Sequence, residues 1–260
     1  VLITGNILRS AVISGANNIY NNRQKVDELN VFPVPDGDTG TNMTLTMTNA
    51  AKELAVKKDM SVGDTAKVVS SALLRGARGN SGVILSLIFR GFSKGLKGLE
   101  EAGAQDVVNA LKSGVDAAYK AVMKPTEGTI LTVSKEAANS AATAVENGET
   151  DPVKVFEIAV EGAKVALAQT PEILPVLKKA GVVDAGGQGL VVIFEGMLRV
   201  FKGEGEIASE DAESSTQKQV VSVVAQNDEE ITFTYCTEFI VNRDRSIDRD
   251  PIRLRSYLET

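Results

Sequence analysis

The chain has 260 residues, of which 43% are hydrophobic and 24% are charged, and its formal net charge is −6. This balance is typical of a globular protein with one large domain, or one domain and part of another, and it argues against a basic nucleic-acid-binding surface. A single cysteine and the absence of histidine exclude an internal disulfide, His-dependent nucleophilic catalysis and imidazole metal sites.

The first half of the chain shows helical spacing of apolar residues. We predict a first helix within residues 2–20, ended by Asn21-Asn22-Arg23, and a second from Thr41 to about Ala55. A third helix is predicted to start at residues 61–64, which resemble a capping box. The apolar stretch 83–89 fits a buried strand or a buried helix, and the helical periods around it favour a helix.

The second half continues the helical pattern. Further helices are predicted over about 105–122, 129–146, 151–169 and 190–201. Asp151-Pro152 is a strong start signal, because Asp caps helices and Pro is favoured in their first turn. Thr170-Pro171 repeats that signal and predicts a new helix start there.

The pattern changes after Lys202. Residues 203–217 contain five acids and no basic residue, which predicts an acidic linker. Residues 220–224 and 231–235 have strand composition, and residues 252–258 look helical. Two strands and one helix bury too little to be stable alone, so we predict a domain over 1–202 and a partial α+β domain over 218–260.

The stretch that dominates the sequence is NVFPVPDGDTGTNM, residues 30–43. Two prolines stiffen its approach, and Asp36 and Asp38 follow with one glycine between them. Two adjacent carboxylates repel each other unless a cation lies between them, and oxygen ligands on a short loop suit Mg²⁺. The alternative is a solvated loop in which the Asp residues only cap a helix.

Two further glycine-rich stretches, residues 75–82 and 184–189, also open predicted helices. Glycine lets backbone amides approach a ligand closely, and a helix N-terminus presents free N–H groups to phosphate oxygens. Candidate side-chain donors are Thr41 and Asn42 in the first stretch and Asn80 and Ser81 in the second. The combination predicts a nucleotide–Mg²⁺ site without a Walker loop, since the sequence contains no GxxxxGK[ST] motif.

Two other acidic motifs fit poorly. An aspartyl-phosphate hydrolase would need Thr where Gly40 stands and a strand where two prolines stand, and an EF-hand would need further acids. Cys236 is either a small buried hydrophobe or one ligand of a zinc site that this chain cannot complete.

Targeting signals are weak. No apolar run approaches the roughly 18 residues of a membrane span, and the first residues lack the charged region of a signal peptide. The chain does not begin with Met, so we expect the natural N-terminus to lie upstream. The single cysteine fits a reducing compartment, and we expect a cytoplasmic protein.

Four motifs together resemble the kinase domain of the fatty acid kinase A family, within the DhaL-like superfamily of dihydroxyacetone kinase nucleotide-binding domains. The motifs are residues 30–43, 76–85, 127–131 and 183–190, and the similarity covers about residues 5–202. The resemblance implies an all-α, eight-helix antiparallel barrel that binds ATP or ADP and two Mg²⁺ ions at one end. Residues 218–260 resemble the start of the family's α+β middle domain.

The resemblance also implies the site residues. Asp36 and Asp38 match two of three metal-binding acids and would be the catalytic pair, while Asn30 takes the place of the third. The implied nucleotide-site residues are Thr39, Thr41, Asn42, Gly79, Asn80, Ser81 and Thr129 near the phosphates, Ile84 and Ile130 at the adenine, and Asp184 and Gly186 at a covering turn. Cys236 matches a cysteine that joins two histidines further along, so zinc is implied only for a longer parent chain.

The implied reaction is transfer of the γ-phosphoryl group of ATP to a fatty acid carboxylate, delivered by a separate DegV-like fatty-acid-binding protein. A carboxylate is already ionised at neutral pH, so this acceptor needs no strong general base, in agreement with the absence of histidine. The alternatives are a dihydroxyacetone (glycerone) kinase nucleotide-binding subunit and an ADP-holding module without turnover. No nucleic-acid partner is expected, and a homodimer is one option for assembly.

Overall fold

The computed structural model describes residues 2–210, and eight long helices and one short helix account for most of them. The helices are α1 (Gly5–Asp27), α2 (Thr39–Ala55), α3 (Val62–Gly76), α4 (Gly79–Gly95), α5 (Ala104–Ala121), α6 (Ile130–Glu146), α7 (Pro152–Ile173), the short α8 (Pro175–Ala180) and α9 (Ala185–Phe201). Strands β1 (Ile3–Thr4) and β2 (Glu101–Ala102) form a two-stranded antiparallel ribbon, with Ile3 opposite Ala102.

The long helices form a closed ring. Each packs against the next in sequence, and α9 packs against both α7 and α1 to complete the circle. Asn18 of α1 contacts Val192 of α9, while Ser14, one turn earlier, contacts Gly196, one turn later. Gly91 and Gly95 of α4 likewise lie against Ser113 and Ala110 of α5, so both pairs of helices run in opposite directions. The predicted eight-helix antiparallel barrel is thereby confirmed.

The barrel interior is mainly aliphatic and also contains packed aromatic rings. Phe156 of α7 is buried against Phe194 and Phe201 of α9, with ring centroids 5.4 and 5.0 Å apart. Small residues allow the helices to approach closely, and α6 contributes buried alanines such as Ala137 and Ala141. Within residues 2–210, no helix combines the length and apolarity needed to cross a membrane.

Most helix starts follow the local signals predicted for them. The Ser61 hydroxyl accepts a hydrogen bond from the amide of Asp64 (3.1 Å), and the Asp151 carboxylate accepts one from Val153 (3.0 Å). These side chains satisfy amides that the first turn leaves unpaired. The apolar stretch 83–89 lies in α4, so the prediction that favoured a helix over a strand there is confirmed.

The predicted end of the first helix is wrong, because α1 continues through Asn21-Asn22-Arg23 to Asp27. The Asn22 amide donates to the carbonyl oxygen of Asn18 (2.9 Å), and the Arg23 guanidinium donates to that of Tyr20 (2.8 Å). These polar side chains bond within the helix instead of competing with it, and Val26 beyond them is fully buried.

The helix start predicted at Thr170-Pro171 is also wrong, because Pro171 lies inside the last turn of α7. Proline has no N–H to donate to the carbonyl of Leu167, four residues earlier. The Thr170 hydroxyl donates to that carbonyl instead (2.7 Å) and is fully buried. The next helix, α8, starts at Pro175.

The last predicted helix begins earlier than expected. α9 starts at Ala185, so the glycine-rich stretch 184–189 forms its cap and first turns rather than a separate turn. Likewise α2 starts at Thr39, directly after the paired Asp residues.

The first part of the predicted acidic linker lies along α1. The Asn17 amide donates to the carbonyl oxygen of Ile207 (2.8 Å), whose own amide donates to the Ser14 hydroxyl (3.1 Å). The amide of Glu210 donates to Asn21 (3.1 Å). The rest of that linker, the partial α+β domain over 218–260 and Cys236 lie outside the described residues, and the domain boundaries stay predictions.

Close packing of α2 on α1 gives a first testable expectation. A methyl group at Gly40 would overlap the carbonyl oxygen of Arg23 and lie 2.9 Å from Cβ of Val26. We expect Gly40→Ala to lower the free energy of unfolding by about 2–3 kcal/mol, measured by urea unfolding, since a packed interface must open. Gly103→Ala is the matched control, because its new methyl would meet atoms no closer than 3.6 Å. Equal stability of the two variants would contradict the expectation.

Candidate functional site

Four helix N-termini meet at one end of the barrel, those of α2, α4, α6 and α9. Gly79 at the start of α4 lies against the side chain of Asn42 in α2, and Gly189 of α9 lies against Met43. Gly186 of α9 lies against Ile130 at the start of α6. Because successive long helices alternate in direction, every second one presents its N-terminus, and its positive dipole end, at this side.

The loop before α2 is held by Asn30. Its side-chain amide donates to the carbonyl oxygen of Val34 (2.6 Å) and to the Asp36 carboxylate (3.1 Å). Its side-chain oxygen accepts a hydrogen bond from the Thr39 hydroxyl. Asn30 is only 7% exposed. In this structure Asn30 and Thr39 therefore fix the loop that presents the paired carboxylates.

Asp36 is exposed and Asp38 is half-buried, at the start of α2. Burial raises the pKa of the Asp38 carboxyl, a hydrogen bond with Asn42 opposes that rise, and the charge of Asp36 adds to it. Two neighbouring carboxylates are a suitable pair of ligands for a hard divalent cation. Within residues 2–210, no group of three or more Cys, Asp and Glu side chains is arranged to hold a metal, so this pair would need ligands from a bound molecule or water.

The start of α4 packs against α2 and is hydrogen-bonded to it. Gly79 has φ = 58°, a conformation that favours glycine, and a side chain there would overlap the Asn42 amide. The amide of Arg78 donates to the Thr46 hydroxyl (3.2 Å), which itself donates to the carbonyl oxygen of Asn42 (2.7 Å). Sequence reasoning missed Thr46, although its spacing one turn beyond Asn42 was a usable signal.

The remaining predicted residues of α4 line its first two turns. Asn80 is exposed, and Ser81 and Ile84 are half-buried. They lie in the first turns of a helix that starts at the shared end, and their phosphate-binding role stays a prediction.

Thr41 has a partner that the sequence did not indicate. The Asp27 carboxylate at the end of α1 accepts hydrogen bonds from the Thr41 amide (3.0 Å) and hydroxyl (2.8 Å). Both donors of Thr41 are therefore engaged with Asp27 in this structure. No local motif could have revealed Asp27, because the two residues meet only through the packing of α1 on α2.

The N-termini of α6 and α9 share one carboxylate. Asp184 caps α9 by accepting from the amide of Gly187 (2.7 Å), and it also accepts from the backbone amide of Ile130 in α6. Its own amide donates to the Thr170 hydroxyl (3.0 Å). Thr129 caps α6 and donates its hydroxyl to the carbonyl oxygen of Thr126 (2.7 Å).

Asp184 is only 5% exposed. Burial raises the pKa of its carboxyl to about 6, although the two backbone hydrogen bonds from Gly187 and Ile130 act in the opposite direction. The carboxylate thus has an internal, structural role here, while Gly186 beside it is half-buried at the surface of the same turn.

The structure therefore joins the predicted residues into two groups. Asn30, Asp36, Asp38, Thr39, Asn42 and Gly79 form one around the α2 and α4 starts, and Thr129, Ile130, Asp184 and Gly186 form the other around α6 and α9. Met43, against Gly189, lies between α2 and α9. A surface depression of about 480 Å³ lies at the opposite end, lined by residues such as Gly5, Ser61 and Glu101, and contains none of these residues.

Comparison with known proteins agrees with this architecture. Residues 33–199 match the DAK2 domain. The chain is 46% identical over 249 residues to Protein YloV of Bacillus subtilis, covering 94% of this chain and 45% of that protein. An uncharacterized protein of Staphylococcus epidermidis is 46% identical over 242 residues, which cover 92% of this chain and 44% of that protein. The chain thus spans less than half the length of these curated relatives.

A solved structure shares the helical fold. It is the crystal structure of the dihydroxyacetone kinase from C. freundii in complex with AMP-PNP and Mg²⁺, with a TM-score of 0.57 and 18% identity. The match covers 75% of this chain and 34% of that chain. The DAK2 match spans more than half of the present chain and includes every predicted site residue except Asn30. The chain belongs to the DAK2 domain family.

Proposed function

We propose that the chain is the ATP- and Mg²⁺-dependent kinase module of a two-component fatty acid kinase. In this proposal it transfers the γ-phosphoryl group of ATP to a fatty acid carboxylate presented by a DegV-like fatty-acid-binding protein, giving an acyl phosphate. The observation that carries the proposal is that four helices start at one end of the barrel, and that one of them, α2, directly follows the loop with Asp36 and Asp38. Helix N-termini favour phosphate groups, and the paired carboxylates favour the cation that accompanies them.

The chemistry of the site residues fits this assignment. Asp36 and Asp38 would hold Mg²⁺, which neutralises phosphate charge during transfer, and Asn30 would keep their loop in place or add its own oxygen. The exposed first turn of α4, with Asn80 and Ser81, offers free amides and polar side chains to the phosphates. Ile84 is half-buried and offers apolar surface for the base, whereas Ile130 is only 4% exposed in this structure.

The solved C. freundii kinase supports the nucleotide part of the proposal, because part of that chain shares this fold and its crystal structure is a complex with AMP-PNP and Mg²⁺. The acceptor part rests on the sequence resemblance and on chemistry. A carboxylate acceptor needs no base at neutral pH, and this chain contains no histidine to act as one.

The test is a phosphoryl-transfer assay with the purified 260-residue chain, ATP and Mg²⁺. Acyl phosphate, trapped with hydroxylamine, is expected only when a DegV-like protein loaded with fatty acid is present. Phosphorylation of dihydroxyacetone with a suitable partner, and none of the fatty acid, would overturn the acceptor assignment. Tight ADP binding without transfer to either acceptor would instead indicate an ADP-holding module.

A further inference from the structure

A polar cluster built on side chains that are not among the predicted site residues connects the end of α5 to the start of α6. The Glu127 carboxylate accepts hydrogen bonds from the Tyr119 hydroxyl (2.9 Å), the Thr132 hydroxyl (2.5 Å) and the Lys135 ammonium (3.0 Å). The Lys135 ammonium also lies 5.6 Å from the centre of the Tyr119 ring. Three donors from two helices therefore converge on one side chain in the loop between those helices.

The cluster reaches the backbone through Thr132. The Thr132 hydroxyl accepts a hydrogen bond from the amide of Gly128 (2.8 Å) while donating to Glu127. Thr132 is only 6% exposed and Gly128 is buried, so this amide has little access to water. Gly128 has φ = 78° and lies against Ile173 and Leu174, which leaves the loop little freedom to move.

The charge of Glu127 suits this arrangement. Burial raises the pKa of its carboxyl, but the hydrogen bonds from Thr132, Lys135 and Tyr119 outweigh that effect and lower it. An ionised carboxylate can only accept, so the Thr132 proton must point to it and leave the hydroxyl oxygen free to accept from Gly128. The charge of Glu127 therefore orients the Thr132 hydroxyl, which in turn holds the amide of Gly128.

The loop leads directly into the candidate site. Thr129 follows Gly128 and caps α6, and the amide of Ile130 bonds to Asp184 at the start of α9. A change in the backbone at Gly128 would therefore move both Thr129 and the contact between α6 and α9.

We infer that Glu127 and Thr132 are positioning residues that set the first turn of α6 for binding an adenine nucleotide with Mg²⁺. This inference rests on the proposed function, because it concerns the same nucleotide site. Neither side chain needs to touch the nucleotide: Thr132 holds Gly128, and Glu127 holds Thr132.

The test compares MgADP affinity of the full chain with that of its variants, by titration calorimetry well below the melting temperature. Thr132→Val keeps the shape but removes the hydroxyl, and we expect the dissociation constant to rise about tenfold, as for loss of one positioned hydrogen bond. Thr132→Ser restores the hydroxyl and should restore most of the affinity. Glu127→Gln should weaken binding by about threefold or more, since the charge that orients Thr132 is lost.

The matched control is Glu157→Gln. Glu157 pairs with Lys202 and has a similar side-chain exposure to Glu127, 41% against 46%, but it lies at a different end of the barrel. It should leave MgADP affinity unchanged. If Thr132→Val lowers the melting temperature but binds MgADP as tightly as the wild type, Thr132 has only a structural role and the inference is overturned. If Thr132→Val does not fold, unchanged affinity of Glu127→Gln overturns it. Wild-type protein that binds no MgADP overturns both this inference and the proposed function.

Discussion

Replacing Asp38 with asparagine is expected to reduce phosphoryl transfer by at least about 100-fold, as for loss of a charge-stabilising group at a reacting phosphate. The same variant should lose the Mg²⁺-dependent part of its nucleotide affinity. Asp38 stands at the start of α2 beside Asp36, and it supplies half of the negative charge available to a cation there. Both effects can be measured in the acyl phosphate assay and by titration with ADP in the presence and absence of Mg²⁺.

Measuring the melting temperature of Asp38→Asn distinguishes the loss of a metal ligand from damage to the fold. Burial and the charge of Asp36 raise the pKa of the Asp38 carboxyl, so its ionised form costs stability in the metal-free protein. Asp38→Asn should therefore melt at the same temperature as the wild type or higher, despite its loss of activity. Asp64→Asn, the same change at an exposed acid in the first turn of α3, should leave activity intact. Full activity of Asp38→Asn would show that the metal assignment is wrong.

Replacing Asp184 with alanine is expected to lower the free energy of unfolding by about 2–4 kcal/mol, because two buried helix amides lose their acceptor. Those amides belong to Gly187 of α9 and Ile130 of α6. The matched comparison is Asp151→Ala, which removes the cap of α7 alone and should cost about 1 kcal/mol. Urea unfolding followed by helical circular dichroism measures both, and equal losses would rule out a double cap.

The same residue should make stability depend on pH. The Asp184 pKa is raised to about 6 in the folded state, above the ordinary value near 4 that applies when the chain is unfolded. The folded state therefore holds this proton more tightly, and its stabilising effect is full below about pH 4 and is lost as pH rises through 6. The loss can reach roughly 3 kcal/mol.

Asp184→Asn removes this titration and keeps a side-chain acceptor. The difference in unfolding free energy between Asp184→Asn and the wild type should therefore shift in favour of the variant as pH rises from about 4 to about 7. Other titrating groups contribute equally to both proteins and cancel in this difference. A difference that does not change with pH would contradict the raised pKa.

Helix starts were predictable because their signals are local. Ser61, Asp151 and Thr129 each accept from an amide two or three residues further along, so the sequence around them contains all the partners. Helix ends were less predictable. Asn22 and Arg23 looked like a stop, yet bond within α1, and Pro171 is accommodated because Thr170 replaces its missing hydrogen bond.

The candidate site also combines features that are local in the sequence with features that are not. The paired Asp residues and the glycine-rich helix starts are visible in the sequence, because short motifs carry them. The capping of two helices by Asp184, the engagement of Thr41 by Asp27 and the attachment of Gly79 to Asn42 are not visible. Each joins residues that are distant in sequence and meet only when whole helices pack.

The sequence by itself therefore determined an all-helical domain, the starts of its helices and a loop with two carboxylates, since periodicity and capping act within a few residues. Periodicity and capping do not arrange the helices in space: the family resemblance implied the antiparallel barrel, and the tertiary structure shows that α2, α4, α6 and α9 begin at the same end of it. The physical reason is that alternating helix direction and ring closure depend on side-chain packing between helices, where Gly40, Gly189 and Gly196 permit close approach.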